Sequence, residues 1–465
     1  MKTRSTILLL LVVAALAAYV FFFERHGSST REKNENSTSL AQFDSTKITG
    51  LDITNGDTVI QLRKKGDQWV VTKPIEDRAN AASVTPILTL AADLQRTGVV
   101  DHLGKGGKLR DAFKDYGVQK AKVRLKLIGE GAPAEIHFGK DTAFEGKIYA
   151  RLETDDSISV VKSDLRNLLV KDVSEFRDKH LTRLETSNVS KVKIKTQAGE
   201  INVALSGDHW NLETPIKARA ADSKVQDLIS NINNILVEEF VSAEDTNLAM
   251  YGLAEPRGLI SLQAKTSDEL ETIQIGSPTE KSVDKIYIRV LGRSSIFVVP
   301  KNIGMALGVA PNDLRDNKLT RISSDLIDRI TIEKPGEPAL VLTREQEHWA
   351  FLDNKQPANE TEVERLINVL NNTETKAYVD DTAADLKPYG LDQPVLTIRL
   401  SSYSSENTAE AAKGETVLAT VQFGKTENDI IYAQLAEEPF VVSVGSGILT
   451  NLPLSHAAFE IAEKK

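Results

Sequence analysis

The sequence predicts an α+β fold: three tandem units of about 140 residues, each of antiparallel β-meanders with one main packed helix, behind an N-terminal transmembrane helix. Three observations predict it. The tryptophans Trp69, Trp210 and Trp349 are separated by 141 and 139 residues, and the chain has no others. An alternating strand pattern precedes each of them, and an apolar stripe at helical spacing follows each. Self-similarity at a fixed period marks one structural unit used repeatedly, so residues recurring in every copy are explained first by folding.

The chain opens with an uninterrupted apolar run of 17 residues, Ile7 to Phe23, behind Lys2 and Arg4. Roughly 17–25 residues suffice to span a bilayer. A cleaved secretory signal is the rival reading, because Ala15-Leu16-Ala17 resembles a small-residue cleavage site. Tyr19 and Phe21-Phe22-Phe23 continue the apolar core past that site, so an uncleaved signal anchor over residues 1–26 is expected. Its basic N-terminus stays in the cytoplasm and sends the rest outside. Residues 27–42, rich in Ser, Thr, Asn and Glu, read as a flexible linker. The units follow at 43–182, 183–320 and 321–465.

Each unit opens with a strand: Ile48-x-x-Leu51-x-Ile53, Val189-x-x-Val192-x-Ile194 and Ile327-x-x-Ile330-x-Ile332. Turn signals follow at Asn55-Gly56, Ala198-Gly199 and Pro335-Gly336, then the Trp strand, then a proline at Pro74, Pro215 or Pro357. The helical stripe is clearest in copy two, through Val225, Leu228, Ile229, Ile232, Ile235 and Leu236. Val84, Ile87, Leu88 and Leu94 match it in copy one, and Val363, Leu366, Ile367 and Leu370 in copy three. Asp222-Ser223 and Asn359 are expected N-caps, and Pro86 is expected early in its helix.

A Tyr-Gly pair comes next: Tyr116-Gly117, Tyr251-Gly252 and Tyr389-Gly390. Glycine there is expected to take φ > 0 while the tyrosine packs. A second meander follows, marked by Phe138-Gly139, Ile275-Gly276 and Phe423-Gly424, then by Ile148-Tyr149, Ile286-Tyr287 and Ile431-Tyr432. Units one and two close on similar strings 138 residues apart, from Arg177-Asp178 to Arg183 and from Arg315-Asp316 to Arg321. Unit three lacks that string, and Ser404 to Thr416 reads as a polar loop insertion.

The search for chemistry is mostly negative. Gly104-Lys-Gly-Gly-Lys108 lacks the Walker spacing, and Gly445-Ser446-Gly447 lacks that of a nucleophile elbow. The chain has no cysteine and seven scattered histidines, which gives zinc no ligand set. His209 and His348 precede a repeat Trp where copy one has Gln68, as suits a half-exposed strand position rather than a shared ligand. In the Arg177-Asp178 and Arg315-Asp316 strings the Asp is expected to pair locally with Arg where one unit hands over to the next, and acidic pairs such as Asp380-Asp381 assign no acid and base. Trp69, Trp210 and Trp349 are weighed as a ligand platform against packing, and packing is preferred. No catalytic, cofactor or metal residues emerge. A net charge of −9 weighs against nucleic acid as a partner, because such affinity rests on clustered Lys and Arg.

Taken together, the Trp with its proline exit, Tyr-Gly-Leu-x-x-Pro, the glycine after a strand, Ile-Tyr and the closing Arg-Asp string resemble the DUF4340 family. The likeness runs from Phe43 onward. It is weaker after Tyr116-Gly117, which lacks Leu-x-x-Pro, and at the end of copy three. The resemblance implies a bacterial envelope protein held in the inner membrane by one N-terminal helix, with its bulk in the periplasm. It also implies a context of ABC-type export and gliding-motility components, and it carries no catalytic residues. The expected function is therefore a non-enzymatic accessory or scaffold subunit of an envelope transport complex, acting by protein–protein binding without a cofactor. The alternative is a binding module for an envelope polysaccharide or other polymer.

Overall fold

A computed structural model of the chain describes residues 38–100, 109–241, 247–345, 347–403 and 414–461. The expected anchor, the linker up to residue 37, the Gly104 to Lys108 stretch and most of the Ser404 to Thr416 insertion lie outside the described residues. Among the described residues, no helix is long and apolar enough to cross a membrane.

Alternating burial in copy one produces β1 (Ile48–Asn55), β2 (Thr58–Lys65), β3 (Gln68–Lys73) and the two-residue β4 (Asp77–Arg78). Gly56, with φ of 61°, makes the first hairpin turn, where a Cβ would be strained. The Asn80 side chain accepts a hydrogen bond from the Ala82 N–H and so starts α1 (Ala81–Ala92). Val84, Ile87 and Leu88 form its buried face, each contributing about 1.5–3 kcal/mol relative to exposure. Pro86 lies in the helix interior rather than its first turn, because the Asn80 cap sets the start at Ala81. Then come β5 (Gly98–Val100), α2 (Leu109–Asp115), β6 (Val123–Gly129), β7 (Ile136–Asp141), β8 (Lys147–Leu152), β9 (Ile158–Lys162) and α3 (Asp164–Leu169).

The two meanders of copy one merge into one antiparallel sheet, because β1 pairs with both β2 and β6. Its order is β4-β3-β2-β1-β6-β7-β8-β9-β5. Side chains from both halves, such as Leu51, Trp69, Leu125 and Phe138, share one core with Ile87 of α1 and Phe176.

Copy two repeats the plan with β10 (Val189–Thr196), β11 (Gly199–Ser206), β12 (His209–Thr214), β13 (Ala218–Arg219), α4 (Asp222–Asn233) and β14 (Glu239–Val241). It continues through β15 (Gly258–Ala264), β16 (Leu270–Thr279), β17 (Ser282–Val290), β18 (Ile296–Pro300) and α5 (Pro311–Leu314). Two expectations change here. Asp222 is the first helical residue, and its carboxylate accepts the Trp210 backbone N–H at 2.8 Å instead of capping from outside. Leu236 lies past the helix end and is 44% exposed, so it leaves the apolar stripe.

Copy three comprises β19 (Arg329–Glu333), β20 (Leu340–Glu345), β21 (His348–Phe351), α6 (Glu360–Asn372) and β22 (Ala377–Asp380). It ends with β23 (Leu396–Tyr403), β24 (Glu415–Glu427), β25 (Ile430–Leu435), β26 (Val441–Gly445) and α7 (Ile448–Asn451). Asn359 caps α6 through the Thr361 N–H, as its sequence position suggests. The sheet order is β21-β20-β19-β23-β24-β25-β26-β22, and Tyr403 pairs with Glu415 across the hairpin that carries the insertion.

The described residues are thus mostly antiparallel sheet, in three sheets with few helices. The chain divides into two compact units that do not follow the copy boundaries: residues 1–183, 232–259 and 271–303, and residues 184–231, 260–270 and 304–465. The first holds copy one with β14, β17 and β18; the second holds β10 to β13 with copy three.

Candidate functional site

Each recurring residue has a structural placement. Trp69, Trp210 and Trp349 stand on β3, β12 and β21 and are 8%, 4% and 5% exposed. A stacking platform needs an open ring face, and these rings are turned inward.

The Tyr-Gly turns share one geometry in all copies. Gly117, Gly252 and Gly390 have φ of 76°, 65° and 66°. The strand glycines Gly139, Gly276 and Gly424 fall inside β-bulges, bracketed by Phe138/Asp141, Ile275/Pro278 and Phe423/Thr426. A Cβ there would meet the carbonyl oxygen of Tyr116, Tyr251 or Tyr389 at 2.3, 2.2 or 2.1 Å. The glycine therefore makes room for the tyrosine turn to sit against the bulge. Each turn tyrosine then meets the Ile-Tyr tyrosine edge to face: Tyr116 on Tyr149 at 4.6 Å, Tyr251 on Tyr287 at 4.8 Å and Tyr389 on Tyr432 at 5.3 Å.

In the closing strings the acids pair locally, as expected, while the leading arginines reach further. In the first unit Arg177 does not pair with Asp178. Its Nε donates to Asp77 Oδ2 at 2.8 Å, and its Nη2 donates to Ser295 Oγ at 2.7 Å. Arg293 approaches the same carboxylate, with Nε on Oδ1 at 2.8 Å and Nη2 on Oδ2 at 2.9 Å. Arg177 also packs over Phe240 at 3.9 Å, and Arg293 over Phe297 at 4.4 Å. Burial pushes the Asp77 carboxyl upward, but Arg293 and Arg177 together outweigh that and hold it below the usual carboxylate range. The local pairing belongs instead to Asp178, which accepts from Arg183 Nε at 3.2 Å and from the His180 backbone N–H at 3.0 Å. The second string is alike there, since Arg321 donates to Asp316 at 2.7 Å.

In the second unit Arg315 takes the place of Arg177, but the residue at the position of Asp77 has no carboxylate. Asp77 pairs with Val71 across β3 and β4, and Ala218 pairs with Leu212 across β12 and β13. Val71 and Leu212 each lie two residues after a repeat Trp, so Ala218 occupies the register position of Asp77. Arg315 is 3% exposed, with its guanidinium 3.7 Å from the Tyr378 ring and 4.5 Å from that of Phe440. Its Nη1 donates to Asn312 Oδ1 at 3.2 Å and to Asp381 Oδ1. Its Nε and Nη2 are buried and find no acceptor among the described residues. Arg315 and Ala218 line one cavity of about 290 Å³, together with Arg219, Arg321, Tyr378 and Phe440. Burial raises the Tyr378 hydroxyl to about 12, and that hydroxyl donates to the Asp316 carbonyl at 2.7 Å. Burial also raises the Glu438 carboxyl, another cavity residue.

His209 and His348 are exposed rather than half-exposed. His209 lies 3.1 Å from the carboxylate of Asp222 and His348 lies 2.7 Å from that of Glu360, both acids in the first turn of the following helix. Asp380 accepts from the Tyr389 hydroxyl at 3.2 Å, while Asp381 pairs with Arg315. Among the described residues, no cluster of three or more His, Cys, Asp or Glu could hold a metal ion. Sequence reasoning missed Asp77, Arg293 and Tyr378. The one available signal was that two similar closing strings face different residues, Asp77 and Ala218, one period apart.

These features define a tandem-repeat protein of mostly antiparallel sheet, in which each copy keeps the same Tyr-Gly lock on a bulged strand. The family model described as "Domain of unknown function (DUF4340)" matches residues 69–209, 210–394 and 352–460, and the chain belongs to that family. The first two matches begin at Trp69 and Trp210, so the family's frame runs from one Trp toward the next. No curated protein matches the chain. Among solved structures, the crystal structure of a putative DNA polymerase III beta subunit from Eubacterium rectale ATCC 33656 aligns with it. That alignment covers 89% of this chain and 94% of that one, at 8% identity and a TM-score of 0.14, a level that carries no argument.

Proposed function

We propose that this protein is a membrane-anchored, extracytoplasmic accessory subunit that binds protein partners in an ABC-type envelope export complex. The observation that carries this reading is the presentation of apolar side chains around one hairpin position in two copies. Phe144, between β7 and β8, is 73% exposed, and Val283, at the start of β17, is 72% exposed. Both belong to the first unit, as does Met250, which is 67% exposed. Large apolar groups held in water on ordered hairpins gain free energy when a partner covers them. The residues that recur between copies are spent on packing, which leaves partner recognition to such copy-specific positions. The burial of Trp69, Trp210 and Trp349 favours this reading over a polysaccharide-binding module that would stack sugars on them.

The test is a mild-detergent pull-down of the full-length protein from its native membrane, beside a Phe144→Ser/Val283→Ser variant. Recovery of ABC permease subunits with the parent, and their loss with the variant, is the expected result. Equal recovery with both proteins would detach partner binding from these hairpins. Recovery of no envelope transport component with either would sink the reading.

A further inference from the structure

We infer that the cavity beside Arg315 binds a small monocarboxylate with a short apolar body, whose carboxylate takes the place that Asp77 fills for Arg177. This inference is independent of partner binding at the hairpins.

An arginine presents Nε and one Nη along a single edge, a fork that matches the two oxygens of a carboxylate. Arg177 offers Nε and Nη2 to its surroundings, and one oxygen of Asp77, Oδ2, lies against both, 2.8 Å from Nε and 2.7 Å from Nη2, while Arg293 takes Oδ1. Arg315 has the same place in its string, the same burial and a comparable aromatic neighbour in Tyr378. Its Nε–Nη2 edge is the part without an acceptor, because Asn312 and Asp381 engage only Nη1. Leaving charged donors buried and unpaired is costly, so an acceptor drawn from solution is favoured there.

Space and surroundings narrow the class of ligand. Where copy one has the Asp77 side chain, copy two has only the Ala218 methyl, and the cavity of about 290 Å³ lies beside it. That volume suits a small molecule, as a water's share of the liquid is about 30 Å³. The wall carries Arg219, Arg315, Lys318 and Arg321 against the acids Asp316 and Glu438. Asp316 is already engaged by Arg321 and lies 3.4 Å from Arg219. The remaining wall includes Leu319, Leu418, Leu435 and Val442, which fits an acyl chain or ring better than a hydrated phosphate. Glu438 is the one cavity acid that competes with an incoming carboxylate.

The test uses the full-length protein in detergent and follows its melting temperature against acetate, butyrate and benzoate, with inorganic phosphate and chloride as comparators. The expected result is a saturable rise with butyrate or benzoate that exceeds those with phosphate and chloride. Ala218→Asp supplies the carboxylate from within the chain. It should melt higher than the parent without ligand and bind the organic acids at least about tenfold more weakly. Glu438→Gln, which removes the competing acid, should bind them at least as tightly as the parent. Any of four results would overturn the inference: no saturable response to the organic acids, an equal response to chloride, a stronger response to phosphate, or an undiminished response in Ala218→Asp. An Ala218→Asp protein that melts lower than the parent would also count against it, since the Arg315 edge would then not accept a carboxylate from that position.

Discussion

Arg177 and Asp77, 100 residues apart in sequence, form a buried ion pair in which Nε donates to Oδ2 at 2.8 Å. The Asp77 side chain is 0% exposed and also receives two hydrogen bonds from Arg293, 216 residues away. One carboxylate thus ties the end of copy one to the β17–β18 connection of copy two inside the first unit. The cluster lies wholly inside that unit, which does not stop at a copy boundary.

Removing the carboxylate strands two buried cations. Asp77→Ala should destabilise the first unit by about 3–5 kcal/mol, the usual cost of breaking a buried pair from one side. Urea unfolding of the variant and parent, followed by far-UV circular dichroism, measures it. A loss below about 1 kcal/mol would mean that water reaches Arg177 and Arg293 and that the pair holds little together.

The same cluster sets an acid limit. Folding holds the Asp77 and Asp178 carboxyls below their ordinary value of 3.8, through Arg293 and Arg177 for the first and through His180 and Arg183 for the second, in each case against burial. A carboxyl depressed by folding adds stability that is complete above its unfolded pKa and is lost as pH falls through the folded one. Stability should therefore fall below about pH 4, and Asp77→Asn should flatten that fall. Melting temperatures between neutral and acid pH give the slope. An unchanged slope in the variant would exclude Asp77 as a source.

The Tyr-Gly lock predicts unequal glycines. In Gly276→Ala the new Cβ would lie 2.2 Å from the Tyr251 backbone oxygen, so the bulged strand must shift and about 1–3 kcal/mol should be lost. Gly304 has nothing within 4 Å of its Cβ position, so Gly304→Ala should stay within about 0.5 kcal/mol of the parent. Chemical denaturation of the two variants side by side decides this. Comparable losses would show that the bulge yields to the methyl.

The tryptophans predict a spectroscopic result. With exposures of 8%, 4% and 5%, they should emit at short wavelength and resist iodide quenching until the protein unfolds. Strong quenching of the native protein would place at least one ring in solvent and revive the ligand-platform reading.

Much of the fold was legible because it depends on local pattern. The strand phases around Ile53, Ile194 and Ile332, the stripe of α6 and the Asn359 cap all rest on residues within a few positions of one another. Two of the expectations that changed were local too. Pro86 fell inside its helix and Asp222 became its helix's first residue, because the start of a helix depends on which side chain reaches which orphan N–H. The candidate site was barely legible. Arg177 and Arg315 stood out as members of repeated strings, yet the residues that give them different roles, Asp77 and Ala218, sit in an unremarkable stretch after a proline.

The sequence by itself determined the threefold repetition, the strands and helices within each copy, and the positions where glycine was required. Periodicity and turn chemistry act along the chain and leave their marks there. Only the tertiary structure decided that Arg177 takes its partner from 100 residues away, that copy two is divided between two compact units, and that Arg315, paired with Asp381 through Nη1 alone, keeps an edge without an acceptor beside a cavity. Charge pairing depends on distance in space and on exclusion of water, neither of which follows the period of the sequence.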